Sequence, residues 1–135
     1  MTKWIEVQTP SGNPDELGPL QLAWLGDAVW EMHQRLRRCN KPGRSKDLHI
    51  AVVSEVKAAS QAQALISLEP YLSDIEKDLV RRGRNKAGRG PRNGNPVIYA
   101  KATGFETMVG WLFLKHPQRL ARLLDRLEET EIDLA

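Results

Sequence analysis

Two acidic residues stand out in this sequence because each is the lone charge in an apolar stretch. Asp27 lies within LQLAWLGDAVW, and Glu106 interrupts ATGFETMVGWLFL. A carboxylate in such surroundings requires a cation, a set of hydrogen bonds or a raised pKa, because burying it unpaired is expensive. Two such groups facing one another repel, and a hard divalent cation relieves that repulsion. Mg²⁺ suits the role, since it takes oxygen ligands at about 2.0–2.1 Å and often uses only one or two carboxylates with several waters. The remaining positions then hold a phosphate oxygen and an attacking water, the arrangement by which metals support phosphodiester hydrolysis. A purely structural reading stands beside this one. An arginine or backbone donors satisfy a buried carboxylate equally well, and the chain is rich in arginine.

The elements that must position these acids read as helices. Leu22, Leu25, Val29, Met32 and Leu36 step by three and four residues, which predicts a helix from about Leu20 to Arg38. On a wheel of about 100° per residue, Asp27 falls almost opposite that stripe, on a face with Leu20, Ala23, Trp24 and Glu31. The first half of the helix is thus apolar nearly all round, which implies burial on more than one side. Glu106 sits in a second predicted helix, Val97 to Lys115, one turn from Ala102, Thr103, Val109 and Gly110. Small residues at 102 and 110, with Gly26 beside Asp27, would let the two helices approach closely.

The rest of the chain is also helical by pattern. One or two helices fit 45–68, and Ser73 is an N-cap candidate for a helix from about Asp74 to Arg82. Glycine and proline mark a loop over about 83–96, and Pro117 opens a last helix to about Glu129. No strand pattern or internal repeat is present, so the expected fold class is all-α. At 135 residues the chain suits one domain with one core, expected over 17–135 behind an N-terminal arm at 1–16. The longest strongly apolar stretch, Met108 to Leu114, is too short to span a bilayer. The N-terminus has no signal-peptide pattern. The single cysteine, Cys39, excludes an internal disulfide framework and fits a reducing compartment.

Charge is concentrated in one segment. Arg81, Arg82, Arg84, Lys86, Arg89 and Arg92 follow one another with no acid among them. Without those six, 14 basic residues face 17 acidic ones, so the net charge of +3 comes from a local footprint. Lys41, Arg44, Lys46 and His49 form a weaker group, read first as a solvated turn. His33, His49 and His116 have no zinc spacing, and neither a Ser-His-Asp set nor a P-loop is present, so no nucleotide cofactor is expected. Trp24, Trp30 and Trp111 fall in apolar helical runs and read as core or dimer interface.

The run LAWLGDAVWE resembles the ribonuclease III signature, an apolar helix carrying Leu-Gly-Asp, and TGFETMVGWLFL resembles that family's second catalytic helix. Between them, KPGRSKDLH and RRGRNKAGRGPRN are similar to the Mini-ribonuclease III branch. The likeness runs from about residue 18 to 116. It implies a helical homodimer with two Mg²⁺-dependent sites, each cutting one strand of duplex RNA, with Mn²⁺ as a substitute ion. It also implies Asp27 and Glu106 as metal ligands, and maturation of precursor large-subunit (23S) ribosomal RNA in the cytoplasm or the plastid stroma. The general pattern has acids four residues before the Asp and three before the Glu. Here those positions hold Ala23 and Thr103, a reduced set that the Mini branch shares.

Glu31, one turn beyond Asp27, is either an acid supporting the site or a solvated surface glutamate. Few residues follow Leu114, so no separate duplex-binding domain is expected and the helical domain must hold its own substrate. The 81–92 segment fits that task, because A-form RNA is recognised by shape, phosphates and 2′-hydroxyls. Arg81, Arg82 and Arg84 have a second reading, as cations favourable at a helix C-terminus. Two alternatives remain open at this stage: a non-catalytic protein binding duplex RNA or ribosomes, and a helical DNA-binding regulator.

Overall fold

The computed structural model describes residues 13–39 and 54–134, together with Thr2 and Ile5. Among the described residues every regular element is helical. There are five α-helices: α1 (Pro19–Cys39), α2 (Ser54–Leu68), α3 (Asp74–Lys86), α4 (Pro96–Lys115) and α5 (Pro117–Leu134). Single 3₁₀ turns at Pro14–Glu16 and Glu69–Tyr71 precede α1 and follow α2. The first half of the region expected as one or two helices, and the basic group around Lys41 to His49, lie outside the described residues. Of the expected N-terminal arm, Thr2 and Ile5 are buried, and the Thr2 hydroxyl donates to the Asp125 carboxylate on α5.

Local chemistry sets the helix starts. Ser73 caps α3 with a complete capping box: its hydroxyl accepts from the Glu76 amide at 3.2 Å, and the Glu76 carboxylate accepts from the Ser73 amide at 2.8 Å. Asn95 caps α4, accepting from Val97 N at 2.9 Å, with Pro96 at the first helical position. Glu76 is 3% exposed, and its charge is matched by Arg119, whose guanidinium donates to it at 2.8 and 2.9 Å. A third donation from Arg119, to the Tyr71 carbonyl at 2.7 Å, ties α5 to the end of α2. Burial pushes the Glu76 carboxyl up, but the bonds from Arg119 and from the Ser73 amide outweigh it and hold the group below its ordinary value.

The centre of the fold is α4. It is buried over 102–105 and 107–112 and packs most extensively on α1, then on α3 and α2. A helix apolar on all sides belongs in the middle of a bundle. Its Phe105, Met108, Val109 and Leu112 meet Leu22 and Val29 of α1, Leu65 and Leu68 of α2, Leu79 of α3 and Leu124 of α5 in one continuous core. Trp30 of α1 stands edge-on to Phe105, ring centroids 5.1 Å apart.

Two crossings on α4 are made close by glycine. A Cβ on Gly26 would fall on the Glu106 carbonyl oxygen, and one on Gly110 would fall on the Leu22 carbonyl oxygen. Likewise a Cβ on Gly83 of α3 would strike the Thr107 hydroxyl, and one on Gly104 would lie 2.6 Å from the Val80 carbonyl oxygen. This corrects the expected loop at about 83–96. Gly83 does not end α3; it lets the helix lie against α4, and the helix runs on to Lys86. The connecting loop is shorter, 87–95.

Candidate active site

The Gly26–Gly110 crossing places the two acids. Asp27 follows Gly26 on α1, and Glu106 is one turn before Gly110 on α4, so backbone contact between the helices brings the two carboxyl groups near enough to interact. Burial, followed by the hydrogen bond and the charge of Asp27, pushes the Glu106 carboxyl from 4.5 up to about 8. A proton retained on Glu106 offsets its repulsion with Asp27. A divalent cation serves the same end, so the pair fits a Mg²⁺ site in which two carboxylates are supplemented by water.

The site has further members that the sequence reading did not name. From α2, the Lys57 ammonium sits 3.0 and 3.2 Å from the two oxygens of Asp27 and 2.9 Å from Glu31. One turn on, the Gln61 amide, 1% exposed, donates toward Asp27 at 3.5 Å and lies near enough to Glu106 to draw its pKa down. Burial disfavours the Lys57 charge, but bonds to Glu31 and Asp27 outweigh that and hold its pKa above the ordinary lysine value. Glu31, left open between a supporting acid and a surface residue, is partly buried and ion-paired to the same lysine. The one signal that could have found Lys57 and Gln61 is their spacing of four, which sets both on one face of a helix.

At the two positions where acids are missing, the side chains face their own fold. Ala23 is buried, and the Thr103 hydroxyl donates to the Tyr99 carbonyl at 3.0 Å on its own helix. Among the described residues no group of three or more His, Cys, Asp or Glu side chains could hold a metal, so the acids of the site are sparse.

The six basic residues do not form one loop. Arg81, Arg82, Arg84 and Lys86 are exposed on the last turns of α3; only Arg89 and Arg92 belong to the loop. Arg81 is paired with Asp78. Arg81 and Arg84, with Lys77 and Asn85, border an open groove of roughly 630 Å³ over Leu65, Leu72 and Val80. The loop itself is braced. Arg89 donates to the carbonyls of Pro91 at 2.8 Å and Arg92 at 3.3 Å, and Gly90, at φ +78°, lies flat against the Tyr99 ring. Trp30 and Trp111 are buried as expected, but Trp24 is 83% exposed, so of its two readings the core one does not hold within this chain.

Comparison with known proteins gives the family and the fold. The Ribonuclease III domain family matches residues 20–117. A Synechococcus protein named Mini-ribonuclease 3 is 49% identical over 116 residues, covering 86% of this chain and 84% of its own. A Synechocystis protein of the same name is 43% identical over 127 residues, covering 93% and 89%. Another, from Gloeobacter violaceus, is 44% identical over 108 residues and covers 80% of each. The fold is similar to the crystal structure of a Fusobacterium nucleatum protein, with a TM-score of 0.77 over 91% of this chain and 97% of that one, at 24% identity.

Proposed function

Because this chain belongs to the ribonuclease III family, in its Mini-ribonuclease III branch, and is an endoribonuclease of that type, we propose that it cuts double-stranded RNA using Mg²⁺ held by Asp27 and Glu106. The observation that carries the reading is the contact of those two carboxyl groups at a glycine-to-backbone helix crossing. When bound, the ion supplies a Lewis acid for a phosphate oxygen and lowers the pKa of a coordinated water. The chain's own groups do the rest. Asp27 and Glu106 would offer oxygens to the ion, Gln61 bonds Asp27 and sits beside Glu106, and Lys57 adds a positive charge at the Asp27 side of the site. Arg82, Arg84 and Lys86, exposed at the end of α3, supply positive charge for the RNA backbone, with the braced loop carrying Arg92.

The substrate in this reading is precursor 23S ribosomal RNA and the location cytoplasmic, on the family likeness, the bacterial relatives and the single cysteine. No helix of the described residues is long and apolar enough to cross a membrane. The acting form is a homodimer. Leu20, 52% exposed, and Trp24, one turn further along α1, present an apolar surface on the face of the helix that carries Asp27. The relatives named Mini-ribonuclease 3 favour the enzyme over the silent RNA binder and the DNA-binding regulator.

The test is Asp27→Asn. Single-turnover cleavage of a labelled RNA duplex with Mg²⁺ should fall by roughly a hundredfold or more, while duplex binding stays near the parent value. Cleavage by that variant at the parent rate would overturn the assignment of the site.

A further inference from the structure

The position of Lys57 is not required by helix packing. Both α1 and α2 pack chiefly on α4 rather than on each other, and the Lys57 side chain spans the seam between them. Its ammonium lies against both oxygens of Asp27, 3.0 and 3.2 Å away, and is anchored on its other side by Glu31 at 2.9 Å. Those Asp27 oxygens are the ones a divalent ion would need. An ammonium and a dication held by one carboxylate repel each other, so the lysine charge weakens metal binding at Asp27. Positions 23 and 103 hold Ala23 and Thr103, so neither adds a carboxylate beyond Glu106 and Glu31 to offset that repulsion.

We propose that Lys57 is a built-in counter-cation of the active site, which competes with the divalent metal for Asp27 and so sets how tightly the metal is held. When metal binds, Lys57 leaves Asp27 and keeps Glu31, which is why that glutamate stands one turn from the ligand. The consequence is a protein that holds divalent metal weakly when free. The inference rests on the reading of Asp27 and Glu106 as metal ligands.

The experiment measures binding of Mn²⁺ alone to the full chain, without RNA, from the loss of the free-ion electron paramagnetic resonance signal. Lys57→Met should bind Mn²⁺ more tightly, by about threefold or more, once the competing charge is gone. Lys57→Gln, a second neutral variant, should do the same, and Lys57→Arg, which keeps the charge, should stay within about twofold of the parent. The direction is diagnostic, because a variant that merely loosened the fold would bind metal less well. Unchanged or weaker binding in both neutral variants, with melting temperatures near that of the parent, would overturn the proposal. Asp27→Asn separates the two levels. Loss of Mn²⁺ binding there leaves the metal reading standing whatever Lys57 does, whereas parent-like binding would remove that reading itself.

Discussion

Glu106 shows best what the site is poised to do. Its pKa is raised from 4.5 to about 8 in the folded chain, first by burial and then by Asp27. A raised pKa means that the folded state holds the proton more tightly than the unfolded one. The stabilisation is complete below 4.5 and is lost as pH rises through about 8. Without divalent ions, Glu106→Gln should therefore melt near the parent temperature in acid and above it at about pH 9, where it is more stable than the parent by about 1 kcal/mol or more. Thermal melts in chelator across that range check it; a gap independent of pH would count against the coupled pair. The two acids were legible in sequence because each interrupts an apolar helix. Lys57 and Gln61 were not, because they arrive from positions 30 and 34 residues beyond Asp27, on a helix with an ordinary polar composition.

At the scale of elements, local chemistry was easily read and close packing was not. The Ser73 cap was visible because a capping box is written within four residues. The role of Gly83 was hidden, since a glycine near arginines reads as a breaker, and only the third dimension reveals Thr107 where its Cβ would be. Gly26 was placed correctly, as a residue permitting close approach. Gly26→Ala should drive α1 off α4, costing about 2–3 kcal/mol from overpacking, and should suppress cleavage beyond what the lost stability explains. Measuring both denaturant midpoint and single-turnover rate separates the effects. Full activity in a destabilised protein would show that the crossing does not set the site.

For the molecule as a whole, charge and apolar surface lie on different elements and call for different tests. The basic segment is mostly the end of α3, so neutralising Arg82, Arg84 and Lys86 together should weaken duplex binding and lower the salt slope by about two to three. A filter-binding series over salt concentration checks this, and an unchanged slope would move the RNA elsewhere. The proposed homodimer gives the exposed Trp24 a place in self-association. Trp24→Glu should convert a dimer to a monomer in sedimentation equilibrium, because a charge on that face leaves a buried carboxylate on each side of the contact. A dimer unaffected by that change would place the interface on another surface. The all-α class was legible from periodicity alone, whereas the central place of α4 was not, since only packing distinguishes one apolar helix from the next.

The glycine crossing has one more consequence, for how the sequence can drift. Because peptide groups rather than side chains set the spacing of Asp27 and Glu106, the distance between the acids is insulated from the hydrophobic core around them. Leucines, valines and methionines there can exchange volume with one another, and the helices shift at their periphery while the crossing point stays fixed. Catalytic geometry and core composition are in this sense separate inheritances. What the chain gives up for that freedom is choice at two positions, 26 and 110, where no residue with a β-carbon fits.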